Sequence, residues 1–133
     1  KFRLKGKFKY INLDWCTHDW DTKLLNFEEK AKFDIIITNP PYIPSNDIKF
    51  LDIEVKNYDP ILALDGGNDG LDAYKSIFPR CKNLLKSDGK IFVEIGKGQE
   101  SLVSEIGLQY GLNSLECKKD LSNIIRVIVF NTK

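Results

Sequence analysis

The apolar run Phe33-Asp34-Ile35-Ile36-Ile37-Thr38 ends abruptly in Asn39-Pro40-Pro41-Tyr42. That junction constrains the fold more than any other stretch. The run reads as a strand of a sheet covered on both faces. Asn39 precedes a proline, which holds it away from helical backbone angles. Pro40 and Pro41 fix two further backbone angles and remove two amide donors. In open α/β sheets, ligands bind at the carboxyl ends of the strands. A carboxamide, two carbonyls without competing donors and an aromatic ring at that position make a rigid, flat-walled pocket. It suits a planar, weakly nucleophilic NH2 group, either the side-chain amide of glutamine or the exocyclic amine of a base. One hydrogen would go to the Asn39 side-chain oxygen and the other to the Pro40 carbonyl, with Tyr42 stacked on the plane. Positive charge developing on that nitrogen as a methyl arrives would be stabilised there, and the proton can leave afterwards.

The rest of the chain predicts an α/β pattern. Residues 8–13 alternate and read as a short strand, with Asp14-Trp15 at its end. Residues 21–32 predict a short helix or an irregular loop. Residues 40–70 form a long connection punctuated by prolines, with one helical turn or two over 48–55; a connection of that length is usually functional or mobile. Residues 71–86 predict the strongest helix, with Leu71, Tyr74, Ile77, Phe78, Cys81, Leu84 and Leu85 on one face. Pro79 should kink it, and Gly89 should stop it in a left-handed conformation. Residues 90–95 read as a second buried strand. Residues 99–110 read as a helix with Leu102, Val103, Ile106 and Tyr110 inward, closed by Gly111. Residues 112–117 and 124–130 predict an antiparallel pair. The expected fold is a partial Rossmann-like sheet, mostly parallel, with an antiparallel C-terminal hairpin. The glycine clusters at 66–70 and 96–98 read as turns; neither has the spacing of a phosphate-binding loop.

Bulk composition excludes several classes. The 133 residues are 42% hydrophobic and 29% charged, and 20 basic against 19 acidic residues give a net charge of +1. That balance argues against a polyanionic partner. The basic stretch Lys1, Arg3, Lys5, Lys7 and Lys9 reads as a solvated helix end and edge strand, with an RNA-contacting patch as the alternative. No apolar run approaches the roughly 18 residues of a membrane span, and no secretory signal is present. Cys16, Cys81 and Cys117 are odd in number and widely spaced, so no disulfide framework or metal site is expected, and the compartment reads as cytoplasmic. His18 is the single histidine, so neither a His-based metal site nor a Ser–His–Asp triad is expected. The chain has no methionine and opens on Lys1, so whatever preceded it is expected to have been removed.

Asn39-Pro40-Pro41-Tyr42 resembles the signature of S-adenosylmethionine-dependent amino-methyltransferases, which several branches share, including DNA adenine methyltransferases. The flanks narrow the resemblance. Ile43, Glu54-Val55, Tyr58-Asp59-Pro60, Ala63-Leu64 and Gly66-Gly67-Asn68-Asp69-Gly70-Leu71 are similar to the HemK-type protein-glutamine methyltransferases. Glu94-Ile95-Gly96 with Gln99, and the run from Asp120-Leu121 to Arg126-Val127, continue it. That family methylates the glutamine of the Gly-Gly-Gln tripeptide in peptide chain release factors. Carried over, the resemblance implies S-adenosylmethionine as cofactor and a release factor as protein partner. It implies that Asn39, Pro40, Pro41 and Tyr42 hold the substrate glutamine, with Asn39 also near the methyl-bearing end of the cofactor. Asp14 matches the acidic residue that bonds the adenine amine, and Trp15 an aromatic residue flanking the adenine. Read without the resemblance, Asp14 is a turn or cap aspartate and Trp15 a partly buried core ring.

The chain departs from the family in lacking an acidic, glycine-rich first strand-loop, a second strand with its acidic end, and an N-terminal helical domain. Residues 1–133 are therefore expected to be the C-terminal part of a class I methyltransferase domain. They are expected to bind cofactor weakly or not at all on their own, and to expose the edge of strand 33–38 for self-association. Three other readings stand beside release-factor methylation: a ribosomal-protein glutamine acceptor, an adenine amine on DNA or RNA, and an incomplete, non-catalytic module that associates through its sheet edge.

Overall fold

The computed structural model describes residues 8–27 and 32–132. The elements in chain order are α1 (Trp20–Phe27), β1 (Phe33–Thr38), a 3-10 turn (Ile48–Phe50), α2 (Ile53–Tyr58), α3 (Ile61–Leu64), α4 (Asp72–Leu84), β2 (Leu85–Glu94), α5 (Glu100–Gln109), β3 (Leu112–Lys119) and β4 (Ile125–Thr132). They build one four-stranded sheet in the order β1-β2-β4-β3. β1 and β2 run parallel, with Ile36 opposite Ile91 and Thr38 opposite Val93. β2 and β4 are antiparallel, as are β3 and β4. The α/β class and the antiparallel C-terminal pair are as the sequence leads one to expect; the parallel part is a single pair among the described strands.

The core lies between this sheet and α4 with α5. Alternate residues of β2, Ile91 and Val93, and then Ile95 just past its end, are fully buried and share the core with Ile128 and Phe130 of β4. From α4 come Tyr74, Ile77, Phe78, Cys81 and Leu84, recurring at the three- and four-residue steps that put them on one side of a helix. Phe78 meets Phe130 edge-on at 5.3 Å between centroids, a favoured aromatic arrangement. α5 presses Gly107 onto the same ring: a Cβ there would lie 2.6 Å from Phe130 Cε1.

Several expectations do not hold. Residues 8–13 form no strand. A strand needs a partner for its ladder; no described strand pairs there, and Phe8 and Tyr10 are 65% and 91% exposed. β1 is a strand, but not one covered on both faces: Ile36 packs on the core while Ile35 and Ile37 are 56% and 79% exposed. It is also the edge of the described sheet. Gly89 does not stop α4. The helix ends at Leu84, β2 starts at Leu85, and Gly89 lies inside the strand without a positive φ. There the register jumps from Phe33 opposite Leu85 to Ile35 opposite Lys90. Glycine serves at this point by close approach, since a Cβ would sit 3.0 Å from the Phe33 carbonyl oxygen. In α5, Val103 and Ile106 face inward, whereas Leu102 and Tyr110 stay 51% and 39% exposed. Of the basic N-terminal residues, Lys1, Arg3, Lys5 and Lys7 lie outside the described residues.

Candidate active site

β1 delivers the Asn39–Tyr42 turn to its carboxyl end, as the apolar run and its abrupt proline stop require. Asn39 is exposed, Pro40 is fully buried, and Pro41 and Tyr42 are half-buried. The turn is then tied down by the segment after α3. The Ile43 amide donates to the Leu64 carbonyl at 3.1 Å, and the Gly66 amide donates back to the Ile43 carbonyl at 2.9 Å. The Ser45 amide donates to the Gly67 carbonyl at 2.9 Å. Asp65 Oδ1 accepts from Ser45 Oγ at 2.7 Å and from the Gly67 amide at 2.9 Å. Those two bonds, the hydroxyl's first, hold its carboxyl below the usual range.

The glycine cluster is a wall rather than only a turn. A Cβ on Gly66 would fall 2.8 Å from Tyr42 Cα and 2.9 Å from the Pro41 carbonyl oxygen. Gly70 has φ +73, and a Cβ there would lie 2.4 Å from the Tyr42 carbonyl oxygen. The two backbones therefore touch, and only glycine permits it.

The far side of the turn is held by β2 and the start of α5. Tyr42 donates its hydroxyl to Glu94 Oε1 at 3.2 Å. Tyr74, from α4, donates its hydroxyl to the Glu94 carbonyl at 3.0 Å. Burial, and then the Glu94 carboxylate, push the Tyr42 phenol above its ordinary value, so it stays a neutral donor. Tyr74 is raised further, by burial first. Gln99 reaches between the loops. Its Nε2 donates to the carbonyls of Tyr42 at 3.0 Å and Gly70 at 3.3 Å, and its Oε1 accepts the Gly96 amide at 2.9 Å. Local sequence patterns carried no sign of the two bonds that Nε2 donates, because they join residues 57 and 29 positions apart.

Two recesses flank Tyr42. One, of about 110 Å³, is lined by Asn39, Pro40, Tyr42, Ile43, Ala63 and Leu64. The other, of about 330 Å³, is bordered on the Glu94 side by Gly96, Lys97, Gln99 and Arg126 together with Asp47 and Asp69. A third, apolar cavity of about 270 Å³ lies along β1, where Trp15 and Trp20 meet Ile36, Ile37 and Thr38. The structure thus brings Trp15 alongside the residue that precedes Asn39. Asp14 lines none of these spaces. It is exposed, and its Oδ1 accepts the Cys16 amide at 2.8 Å while its carbonyl accepts the Thr17 amide and hydroxyl, the turn-forming role that aspartate plays on its own. Trp20 lines the apolar cavity, while its own indole N–H is buried and has no partner among the described residues. Two aromatic rings in an apolar cavity fit a flat heteroaromatic group. Among the described residues no cluster of His, Cys, Asp and Glu could hold a metal.

Residues 6–95, more than half of the chain, match the family model described as Eco57I restriction-modification methylase. The chain belongs to that family. Within this methylase family the flanking motifs have close counterparts. The chain is 44% identical over 103 residues to the release factor glutamine methyltransferase of Thermodesulfovibrio yellowstonii, covering 77% of this chain and 37% of the relative. It is 44% identical over 102 residues to the enzyme of that name in Clostridium acetobutylicum, covering 77% and 36%. It is 45% identical over 131 residues to the bifunctional methyltransferase of Rickettsia conorii, covering 98% and 23%. The resemblance to release-factor glutamine methyltransferases is therefore borne out across most of this chain's length. The chain spans little more than a third, or less, of these relatives. The fold agrees with the crystal structure of a methyltransferase from Pyrococcus furiosus, at TM-score 0.51 and 14% identity, over 76% of this chain and 41% of that one.

Proposed function

We propose that this methylase contributes the acceptor side of S-adenosylmethionine-dependent methylation of a glutamine side-chain nitrogen, in the Gly-Gly-Gln tripeptide of a peptide chain release factor. The observation that carries the reading is the Asn39–Tyr42 turn, anchored on three sides around a recess the size of a carboxamide. Asn39 and the Pro40 carbonyl accept the two amide hydrogens. Neither Pro40 nor Pro41 offers a competing N–H. Tyr42, aimed by Glu94, closes one wall as a neutral ring. Those acceptors stabilise charge as it grows on nitrogen, and the exposed Asn39 side lets the proton pass to water afterwards. S-adenosylmethionine supplies the electrophilic methyl when bound. Trp15 and Trp20 would flank its adenine, and Asp14, whose turn leaves the second carboxylate oxygen to other partners, would bond the adenine amine. Asn39 would also border its methyl-bearing end.

Residues 1–133 fit the C-terminal part of a class I methyltransferase domain, and the widely spaced cysteines support a reducing, cytoplasmic setting. A second reading, an adenine amine on DNA, is favoured by the description of the family model. The test incubates the full protein and the methyl donor with either a release factor or duplex DNA, then weighs the Gly-Gly-Gln peptide. Our reading requires one added methyl on that glutamine, lost in Asn39→Ala. Methylated adenine with an untouched release factor would replace it by the second reading. Turnover on neither acceptor, by a protein that binds the donor, would favour a non-catalytic module.

A further inference from the structure

We infer that Gln99 is the positioning residue of the acceptor pocket, a single side chain that sets the distance between the Asn39–Tyr42 turn and the glycine wall behind it. A primary amide has two donor hydrogens and an oxygen with two lone pairs. Here both hydrogens are committed, to the Tyr42 and Gly70 carbonyls, and the oxygen takes the Gly96 amide. The Tyr74 hydroxyl stands 3.5 Å from the same oxygen while it donates to the Glu94 carbonyl. The orientation of the amide is therefore determined by its surroundings. Turned over, it would set its oxygen against two carbonyls and its NH2 against an N–H.

Two glycines line this side chain closely. A Cβ on Gly96 would lie 2.8 Å from Gln99 Oε1, and one on Gly70 would lie 2.8 Å from Nε2. The space is shaped around the amide, so no shorter or bulkier residue reproduces the bridge. Pro40 and Pro41 have no N–H with which to help hold the turn, and the Tyr42 carbonyl is the first acceptor after them to be gripped from α5. Gln99 acts through the backbone of Tyr42 and touches none of the acceptor recess itself.

Gln99→Glu is the decisive substitution, because it changes one NH2 to oxygen at constant shape. An ionised carboxylate keeps the bond from the Gly96 amide but faces the Tyr42 and Gly70 carbonyls with a negative oxygen. When protonated it regains one donor. The glutamate variant should therefore lose the bridge at neutral pH and recover it as pH falls, whereas Gln99→Ala should lose it at every pH. The carboxylates of Glu94, Asp47 and Asp69, the cations of Lys97 and Arg126, and the phenols of Tyr42 and Tyr74 surround the site. Taking each value as a ratio to the native protein at the same pH removes their own titration.

Two readouts are needed. In amide exchange on the full protein, corrected for intrinsic rates, Gln99→Glu at neutral pH should lower protection at Ile43 and Gly66 about tenfold, as for one or two lost hydrogen bonds, and spare Gly96. Gln99→Ala should lower all three. In methyl transfer, which rests on the function proposed above, kcat should fall about 10- to 100-fold, the cost of a misplaced reacting group. The KM for the methyl donor should stay put, and the glutamate variant should regain rate at lower pH. Protection at Ile43 and Gly66 within twofold of native in both variants would overturn the inference. So would unchanged kcat in a protein whose native form methylates a release factor. Absence of any transfer by the native protein would instead sink the proposed acceptor, and the exchange pattern would still decide the role of Gln99.

Discussion

Around Tyr42, contact between two backbones does what side chains usually do. Gly70 holds a left-handed φ within 2.4 Å, Cβ to oxygen, of the Tyr42 carbonyl. Gly70→Ala adds both a strained backbone and a collision, so it should destabilise the fold by about 1–3 kcal/mol, read as a lower midpoint in urea. Tyr42→Phe is milder. It removes one bond to Glu94 and should cost about 1 kcal/mol, with a larger loss in methyl transfer because the ring is no longer aimed. The turn itself was legible in the sequence, since a proline pair after an apolar run limits the backbone locally. The anchors were not. Gln99 and Glu94 act on partners brought close only by the complete sheet, and a glycine cluster reads the same whether it turns the chain or lies against another strand.

At the scale of elements, α4 and α5 were readable from their helical spacing, while the ends of strands were not. Residues 8–13 carry a strand's alternation, yet a ladder partner decides the outcome. α5 shows how a helix can give up propensity for approach. Gly107→Ala would gain about 1 kcal/mol of helix propensity and drive a methyl to within 2.6 Å of the Phe130 ring. Overpacking of that kind costs about 1–3 kcal/mol, so a lower thermal midpoint is expected. α4 adds a response to alkali. Burial pushes the Cys81 thiol from 9.0 up to about 12, and it raises the phenols of Tyr74 and Tyr42 above 10.0. Raised values mean that the folded state holds these protons more tightly than the unfolded one. Their contribution is complete below pH 9 and drains away as pH climbs through the folded values. Urea midpoints measured from pH 8 to 11 should fall, and Cys81→Ala should remove the part of the fall that starts near pH 9.

For the molecule as a whole, the edge strand is the feature expected to govern behaviour in solution. Ile35 and Ile37 stand exposed on β1, which pairs on one side only among the described strands. Unprotected apolar edges recruit further strands. Sedimentation of the chain should show association that grows with concentration, and Ile37→Lys should suppress it while shifting stability by less than about 0.5 kcal/mol. A monomer at all concentrations would contradict this. The recess beside Asn39 has one more consequence. It lies against a segment that Gly66, Gly70 and Gln99 hold from behind, outside the recess, by contacts that tolerate almost no change. Its front, Ala63 and Leu64, belongs to a helix of four residues. Frame and lining are thus separable: a short loop can be rewritten to admit a different planar amine while the apparatus that grips the nitrogen stays as it is.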